Sequence, residues 1–219
     1  MPQGQASDRH RGRTVTAIVL AAGSSQRFGS DNKLLAQVEG RPLICRVAAS
    51  LSRSRVREIV VVTGPDRSDI EQALQDIKVR FVHNPDHQAG MGRSIAVGVG
   101  SLDPQTPGAL ICPGDMPEVT ADLVDKLIGA FEQNSATAIV YPVHSDGSQR
   151  NPVLWPCRFF ARLAALDGPA GGKALLAELR AEAVAVPVLE GGAFVDIDTV
   201  EDLARYREYL GTTHGAPAR

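Results

Sequence analysis

The sequence predicts an α/β fold in three layers, a Rossmann-like arrangement with a mostly parallel central sheet between helices and a small β-hairpin excursion. Three observations predict it. Short aliphatic runs without polar alternation, centred on Ile18-Val19-Leu20, Ile59-Val60-Val61-Val62 and Leu110-Ile111-Cys112, read as strands buried on both faces. Segments with apolar residues at helical spacing separate them, as βαβ units require. Each run also breaks at its carboxyl end into small or turn-forming residues, Ala22-Gly23-Ser24, Thr63-Gly64-Pro65 and Pro113-Gly114-Asp115. Ligands of such sheets bind there.

The 219 residues, 43% of them hydrophobic, suit one domain at 14–211, with a disordered leader over 1–13 and a flexible tail over 212–219. A net charge of −2 with both signs interspersed argues against a nucleic-acid partner. No apolar run reaches the length of a membrane span, and 1–13 lacks the apolar segment of a signal peptide. Cys45, Cys112 and Cys157 have no paired spacing and read as reduced packing thiols of a cytoplasmic protein.

The first strand, from Thr16 to Leu20, opens into Ala21-Ala22-Gly23-Ser24-Ser25-Gln26-Arg27-Phe28-Gly29. Small residues there let consecutive N–H groups form an anion-binding concavity, while Arg27 and Lys33 supply the positive charge that a triphosphate needs. The spacing is neither the dinucleotide fingerprint nor the P-loop. Glu39-Gly40 marks a turn, and Pro42 opens a helix over 42–52. A second strand over 57–63, a helix over 69–76 and a third strand over 79–83 follow. In the next turn, Asn84 to Ser94, Gly90 and Gly92 let backbone lie against a flat ring and Ser94 reach a base edge. The same residues also read as a Gly-rich turn with Ser94 as a cap.

The fourth strand delivers Asp115 to the sheet edge, and the hard cation that accompanies a triphosphate needs carboxylate oxygens. Thr120 caps a helix through Gln133, and a strand over 137–143 leads into the polar turn His144 to Pro152. With Val153-Leu154-Trp155 beyond it, this turn makes a hairpin that interrupts the parallel pattern. A helix from Phe159 ends at Asp167-Gly168-Pro169. Gly171-Gly172-Lys173 then starts another, either as an anion site of bare N–H groups or as a capping loop with a surface lysine. A strand over 183–188 precedes a short one over 194–199, which sets Asp196 and Asp198 on one face. Two carboxylates so placed repel unless a cation or proton lies between them. Thr199 caps the last helix, so Asp198 also reads as structural.

The signature L-A-A-G-x-S-x-R-x-G-x-x-x-K, from Leu20 to Lys33, resembles that of the nucleotidyltransferases, specifically the molybdenum cofactor cytidylyltransferase family, and the resemblance runs from about Thr16 to Leu210. Further matches are N-P-x-x-x-x-G-M-x-x-S at Asn84, G-D-x-P at Gly114, G-x-x-x-x-P-V-L-[FW] at Gly147, G-x-x-x-L-L at Gly171 and D-x-D-T-x-E-D-L at Asp196, with Val200 where the family usually has proline. The resemblance implies nucleotide contacts from Leu20, Ala21, Ala22, Gly23, Ser24, Ser25, Arg27, Lys33, Gly64, Gly90, Ser94 and Gly114. It implies catalytic roles for Arg27, Lys33 and Asp115, and Mg²⁺ on Asp115 with Asp196 preferred and Asp198 open as the second ligand. Arg150, Asn151, Pro152, Gly171, Gly172 and Lys173 fall where the family meets its second substrate.

The implied reaction moves CMP from CTP to the terminal phosphate of Mo-molybdopterin, releasing pyrophosphate, and the product serves a xanthine-dehydrogenase-type apo-enzyme. Ala22 points to CTP because the guanylyl branch generally reads L-A-G-G. The rivals are an isoprenoid-pathway type of cytidylyltransferase, acting on a sugar or polyol phosphate, and a non-catalytic carrier of finished cofactor.

Overall fold

The structure, a computed structural model, describes residues 15–23, 28, 32–188 and 195–214, the side chains of 213 and 214 excepted. Ser24, Ser25, Arg27 and the leader lie outside the described residues.

Strand β1, Val15–Ala21, is the axis of the domain. It pairs in parallel with β4 (Glu58–Thr63) on one side and with β6 (Gly108–Pro113) on the other, and β5 (Arg80–His83) extends the β4 side, again in parallel. Chain order therefore reverses direction at β1: β4 and β5 build outward one way, and β6 returns to the opposite flank. That reversal opens a crevice at the carboxyl ends of β1 and β6.

Beyond β6 the strand order runs through β8 (Val153–Pro156), β7 (Ile139–Val143) and β9 (Ala183–Pro187). β8 is antiparallel to both its neighbours, whereas β7 and β9 are parallel. The turn joins adjacent antiparallel strands, as its polar residues predict, and its second strand lies inside the sheet rather than beside it. Val153, Leu154 and Trp155 are all buried, which is why the strand has a place there. A separate two-stranded ribbon, β2 (Gln37–Val38) and β3 (Arg41–Pro42), turns through Glu39 and Gly40, both at positive φ.

Alternation along β1 divides the core. Val15, Ala17, Val19 and Ala21 pack with α1 (Leu43–Arg53), α4 (Ala121–Gln133) and α7 (Val200–His214), whereas Ile18 and Ala22 pack with α3 (Met91–Gly100) and with Leu163, Leu175 and Leu176 of the opposite layer. These last belong to α5 (Phe160–Ala164) and α6 (Lys173–Glu178).

Several boundaries differ from expectation. α2 spans Arg67–Ala73, earlier than the apolar spacing suggests, because Gln75 N–H turns back onto Gln72 O and closes the helix. Residues 195–198 form no strand. α7 continues to His214, into the expected tail. Cys112 is buried, but Cys157 is exposed and so is not a packing thiol.

Candidate active site

The end of β1 is pressed from both sides by turns that need glycine. A Cβ on Gly64 would lie 2.6 Å from Ala22 O, and one on Gly114 would lie 2.9 Å from Leu20 O. Gly114 N–H also donates to Leu20 O at 3.0 Å. Gly23 has open space around it instead, so the backbone there faces a cleft. Two of the expected nucleotide contacts therefore serve the scaffold: Gly64 does not line the cleft, and Ala21 points into the opposite core.

Lys33 opens a short 3-10 turn that Asn32 caps by accepting from Leu34 N–H at 2.9 Å, while Asn32 Nδ2 donates to Asp66 Oδ2 at 2.8 Å. The turn aims the lysine inward. Lys33 Nζ donates to Asp115 Oδ2 at 2.5 Å and to Asp198 Oδ1 at 2.8 Å, joining stretches 82 and 165 residues apart in sequence. Lys33 and Asp115 side chains are 16% and 18% exposed, against 50% for Asp198. Burial alone would lower the Lys33 pKa, but attraction to Asp115 and Asp198 outweighs it and the ammonium is held above its ordinary value.

Two features bring the acids to the lysine. Ile197 N–H donates to Asp115 O at 3.2 Å, which ties the 195–198 segment to the β6 turn. At the start of α7, Asp202 N–H donates to Thr199 Oγ1 and Thr199 N–H donates to Asp202 Oδ2, a reciprocal cap that fixes the chain just after Asp198. Ile197 is fully buried between two exposed aspartates, so the expected alternation survives without a strand. Asp198 reaches Lys33, whereas Asp196 lines a second cavity. Although the residue as a whole is exposed, partial enclosure of the Asp196 carboxyl against the walls of that cavity, followed by the like charges of Asp115 and Asp198, pushes it up to about 6.

The larger lobe of the cleft, about 790 Å³, takes in Ala22, Gly23, Lys33, Gly114, Asp115 and Asp198. Its far wall is the loop into α3, where Gly90 and Ser94 stand with His87, Gln88 and Met91. These last three are not among the expected contacts: Met91 stands in the G-M of the motif at Asn84, but histidine and glutamine in a glycine-rich loop carry no distinguishing signal. Ser94 is buried and accepts from Asn84 Nδ2 at 3.0 Å, so its hydroxyl proton is the part available to a ligand. The two loop glycines admit backbone rather than a ring. A Cβ on Gly90 would lie 2.5 Å from Gly168 C, and one on Gly92 would lie 2.8 Å from Asp167 C.

The smaller lobe, about 540 Å³, shares Leu20, Met91 and Pro113 with the first. Ile95, Ile111, Trp155 and Leu176 line it together with Arg150, Asn151, Gly172, Lys173 and Asp196. Pro152 and Gly171 do not line it: Pro152 is buried, and Gly171, at φ +56°, gives way to Met91, whose Sδ would lie 2.8 Å from a Cβ there. Lys173 N–H reaches back to Ala170 O at 3.4 Å, so the start of α6 is less bare than expected. No group of three metal-ligating side chains occurs among the described residues. Asp115 Oδ1 is buried without a hydrogen-bond partner.

Comparison with known proteins gives the same picture. Residues 17–184 match the model of the MobA-like NTP transferase domain. A protein of Haloferax mediterranei named as a probable molybdenum cofactor guanylyltransferase is 32% identical over 90% of this chain and 95% of its own length. The bifunctional protein GlmU of Syntrophomonas wolfei is 30% identical over 59% of this chain, which spans 29% of that protein. Among solved structures, an Rv0371c homologue from Mycobacterium sp. strain JC1 superposes with TM-score 0.78 at 24% identity, over 92% of this chain and 99% of its own. Rv0371c of Mycobacterium tuberculosis in complex with manganese gives 0.73 at 23%, over 89% and 98%.

Proposed function

Because the chain belongs to the MobA-like NTP transferase family, we propose that it transfers CMP from CTP to the terminal phosphate of Mo-molybdopterin, yielding molybdopterin cytosine dinucleotide and pyrophosphate. The observation that carries this reading is the meeting of Lys33 with Asp115 and Asp198 in one lobe of a cleft whose other lobe is largely apolar. In the transfer, a phosphate oxygen of the second substrate bonds to the α-phosphorus, the bond from that phosphorus to its bridging oxygen breaks, and pyrophosphate leaves with the electron pair. The protein needs no covalent intermediate. Its work is to hold two anions in line and to stabilise charge growing on the leaving group.

Lys33, kept charged by its carboxylates, is the cation assigned to the triphosphate; Arg27, Ser24 and Ser25, which lie outside the described residues, are assigned to the same phosphates from the sequence alone. Asp115 and Asp198 would hold Mg²⁺, which would supply polarisation of the phosphoryl oxygens when bound. The residues fit that ion: Asp115 Oδ1 is an orphaned buried carboxylate oxygen, and two carboxylates completed by substrate phosphates are a usual Mg²⁺ ligand set. The manganese in the related Rv0371c complex supports the same class of ion. Asp198 is preferred over Asp196 because it shares the Lys33 ammonium with Asp115. Arg150, Asn151, Gly172 and Lys173 are assigned to the second substrate, whose flat ring system suits walls made by Trp155 and Ile95 better than a polyol would.

Ala22 supports the pyrimidine. The support comes from the resemblance, since the guanylyl branch generally has glycine at this position; the Ala22 side chain itself is buried at 2% exposure. A guanylyl transfer is the second reading, favoured by the name of the Haloferax relative. The test is to incubate the protein with Mg²⁺, Mo-molybdopterin and each triphosphate in turn while following pyrophosphate. Release with CTP alone is expected. Release with GTP alone would establish the second reading, and binding without release would leave a cofactor carrier.

A further inference from the structure

Away from the cleft, a second concavity among the described residues is predominantly basic. It measures about 360 Å³ and lies between α1 and the β2–β3 ribbon, with Arg41, Arg46 and Arg53 on its lining against one carboxylate, that of Glu39. The arginines arrive there by geometry: Arg46, Ser50 and Arg53 fall at i, i+4 and i+7 on one face of α1, and Arg41 comes from β3 across the opening.

The three are not equivalent. Arg46 is fixed at the base: it donates to Glu39 Oε2 at 2.7 Å, stands 3.8 Å from Glu118 Oε1, and lies over the Tyr206 ring at 5.7 Å. Its Nε is nevertheless buried without a hydrogen-bond partner. Arg53 donates to Ser50 Oγ at 3.3 Å, and neither Arg41 nor Arg53 has an ion-pair partner among the described residues. A solvated basic face would spread such side chains over open surface; here they converge on one concavity.

We propose that this pocket binds a phosphate-class oxyanion, free or terminal on a small molecule, at a site separate from the transfer cleft. Arg46 is the preorganised base of the site, while Arg41 and Arg53 close on the anion as planar donors matched to its oxygens. Pro117 lines the pocket and Glu118 pairs with Arg46, so the site adjoins the turn that carries Asp115. The proposal does not depend on which nucleotide the cleft uses.

The experiment is calorimetric titration of the full chain with inorganic phosphate, pyrophosphate and a nucleoside monophosphate, comparing wild type, Arg41→Ala/Arg53→Ala and Lys33→Ala. Both arginines are exposed, and matching circular dichroism and melting curves check that the double variant folds. Two equivalents of pyrophosphate are expected for wild type. The double arginine variant should weaken one of them at least tenfold, and Lys33→Ala should weaken the other. Inorganic phosphate binding in the pocket identifies the free anion as sufficient; binding of the monophosphate alone assigns the terminal phosphate of a small molecule. A single equivalent in wild type that Lys33→Ala removes, or two equivalents unchanged by the arginine substitutions, overturns the proposal.

Discussion

In the larger lobe of the cleft, Lys33, Asp115 and Asp198 meet within hydrogen-bond distance from three remote parts of the chain, whereas the smaller lobe sets Arg150, Lys173 and Asp196 among Trp155, Ile95, Ile111 and Leu176. The first region is organised by charge balance and the second by shape. Where one lysine bridges two carboxylates in a partly buried site, removing any member leaves the others mismatched. Where apolar walls define a cavity, a polar side chain on the lining adjusts affinity by increments. Substitutions on the two sides should therefore differ in size and in the kinetic constant they move.

The largest effect belongs to the charged lobe. Asp115→Asn keeps the shape but removes the carboxylate that Lys33 holds at 2.5 Å, and turnover should fall about 10²–10³-fold, the range for loss of one preorganised electrostatic group. Lys33→Ala should cost a similar factor. Pyrophosphate release at saturating substrates measures both, and unchanged circular dichroism shows that folding is not the cause. A variant with wild-type turnover removes that residue from the mechanism and erases the contrast between the lobes.

Next in size is the far wall of the larger lobe. Gly90 has φ +109°, and a Cβ there would lie 2.5 Å from the backbone of Gly168. Gly90→Ala therefore combines a disfavoured backbone angle with overpacking against a turn that cannot rotate away, and should destabilise the protein by about 1–3 kcal/mol. Denaturant titration measures it. An unchanged midpoint would mean that the contact with Gly168 yields easily and that the loop glycines serve a ligand after all.

The parallel strands, their helices and the Thr120 cap were legible in the sequence because each follows from a local pattern: aliphatic runs, helical spacing, a hydroxyl before an apolar stripe. Asp115 was legible for the same reason, an acid at the carboxyl end of a buried strand. What the sequence could not convey was mutual position. That β8 enters the sheet between β6 and β7 depends on long-range pairing, and that Gly64, Gly90 and Gly92 make room for other backbone depends on neighbours far along the chain. The choice between Asp196 and Asp198 had no local signal, because alternation marks both and the chain partner that separates them is Lys33. Arg41, Arg46 and Arg53 make no local pattern in the sequence; α1 and the ribbon bring them together.

In the shape-defined lobe, Arg150→Ala should raise KM for the second substrate about tenfold, equivalent to ~1.4 kcal/mol, while KM for the triphosphate stays within twofold. Steady-state titration of each substrate separates the two. Equal rises in both constants would place Arg150 between the lobes instead of within the smaller one.

The smallest effect, and the one that links the lobes, is a pH dependence at Asp196. Its carboxyl titrates near 6 in the fold against an ordinary value of 3.8, chiefly through enclosure and then through repulsion by Asp115 and Asp198. A raised carboxyl pKa means that the folded chain holds this proton more tightly than the unfolded chain does. Its contribution to stability is therefore complete below about pH 4 and is lost as pH rises through 6. Asp196→Asn should raise the melting temperature by a degree or more at pH 7 and leave it unchanged at pH 4. The same ionisation adds negative charge beside the assigned metal ligands, so apparent Mn²⁺ affinity of the wild type should improve a few-fold between pH 5 and 7, and the variant should flatten that rise. A variant that loses melting temperature at pH 7 would show the opposite sign, with Asp196 already neutralised by Lys33 or Arg150 and the two lobes sharing one charge network.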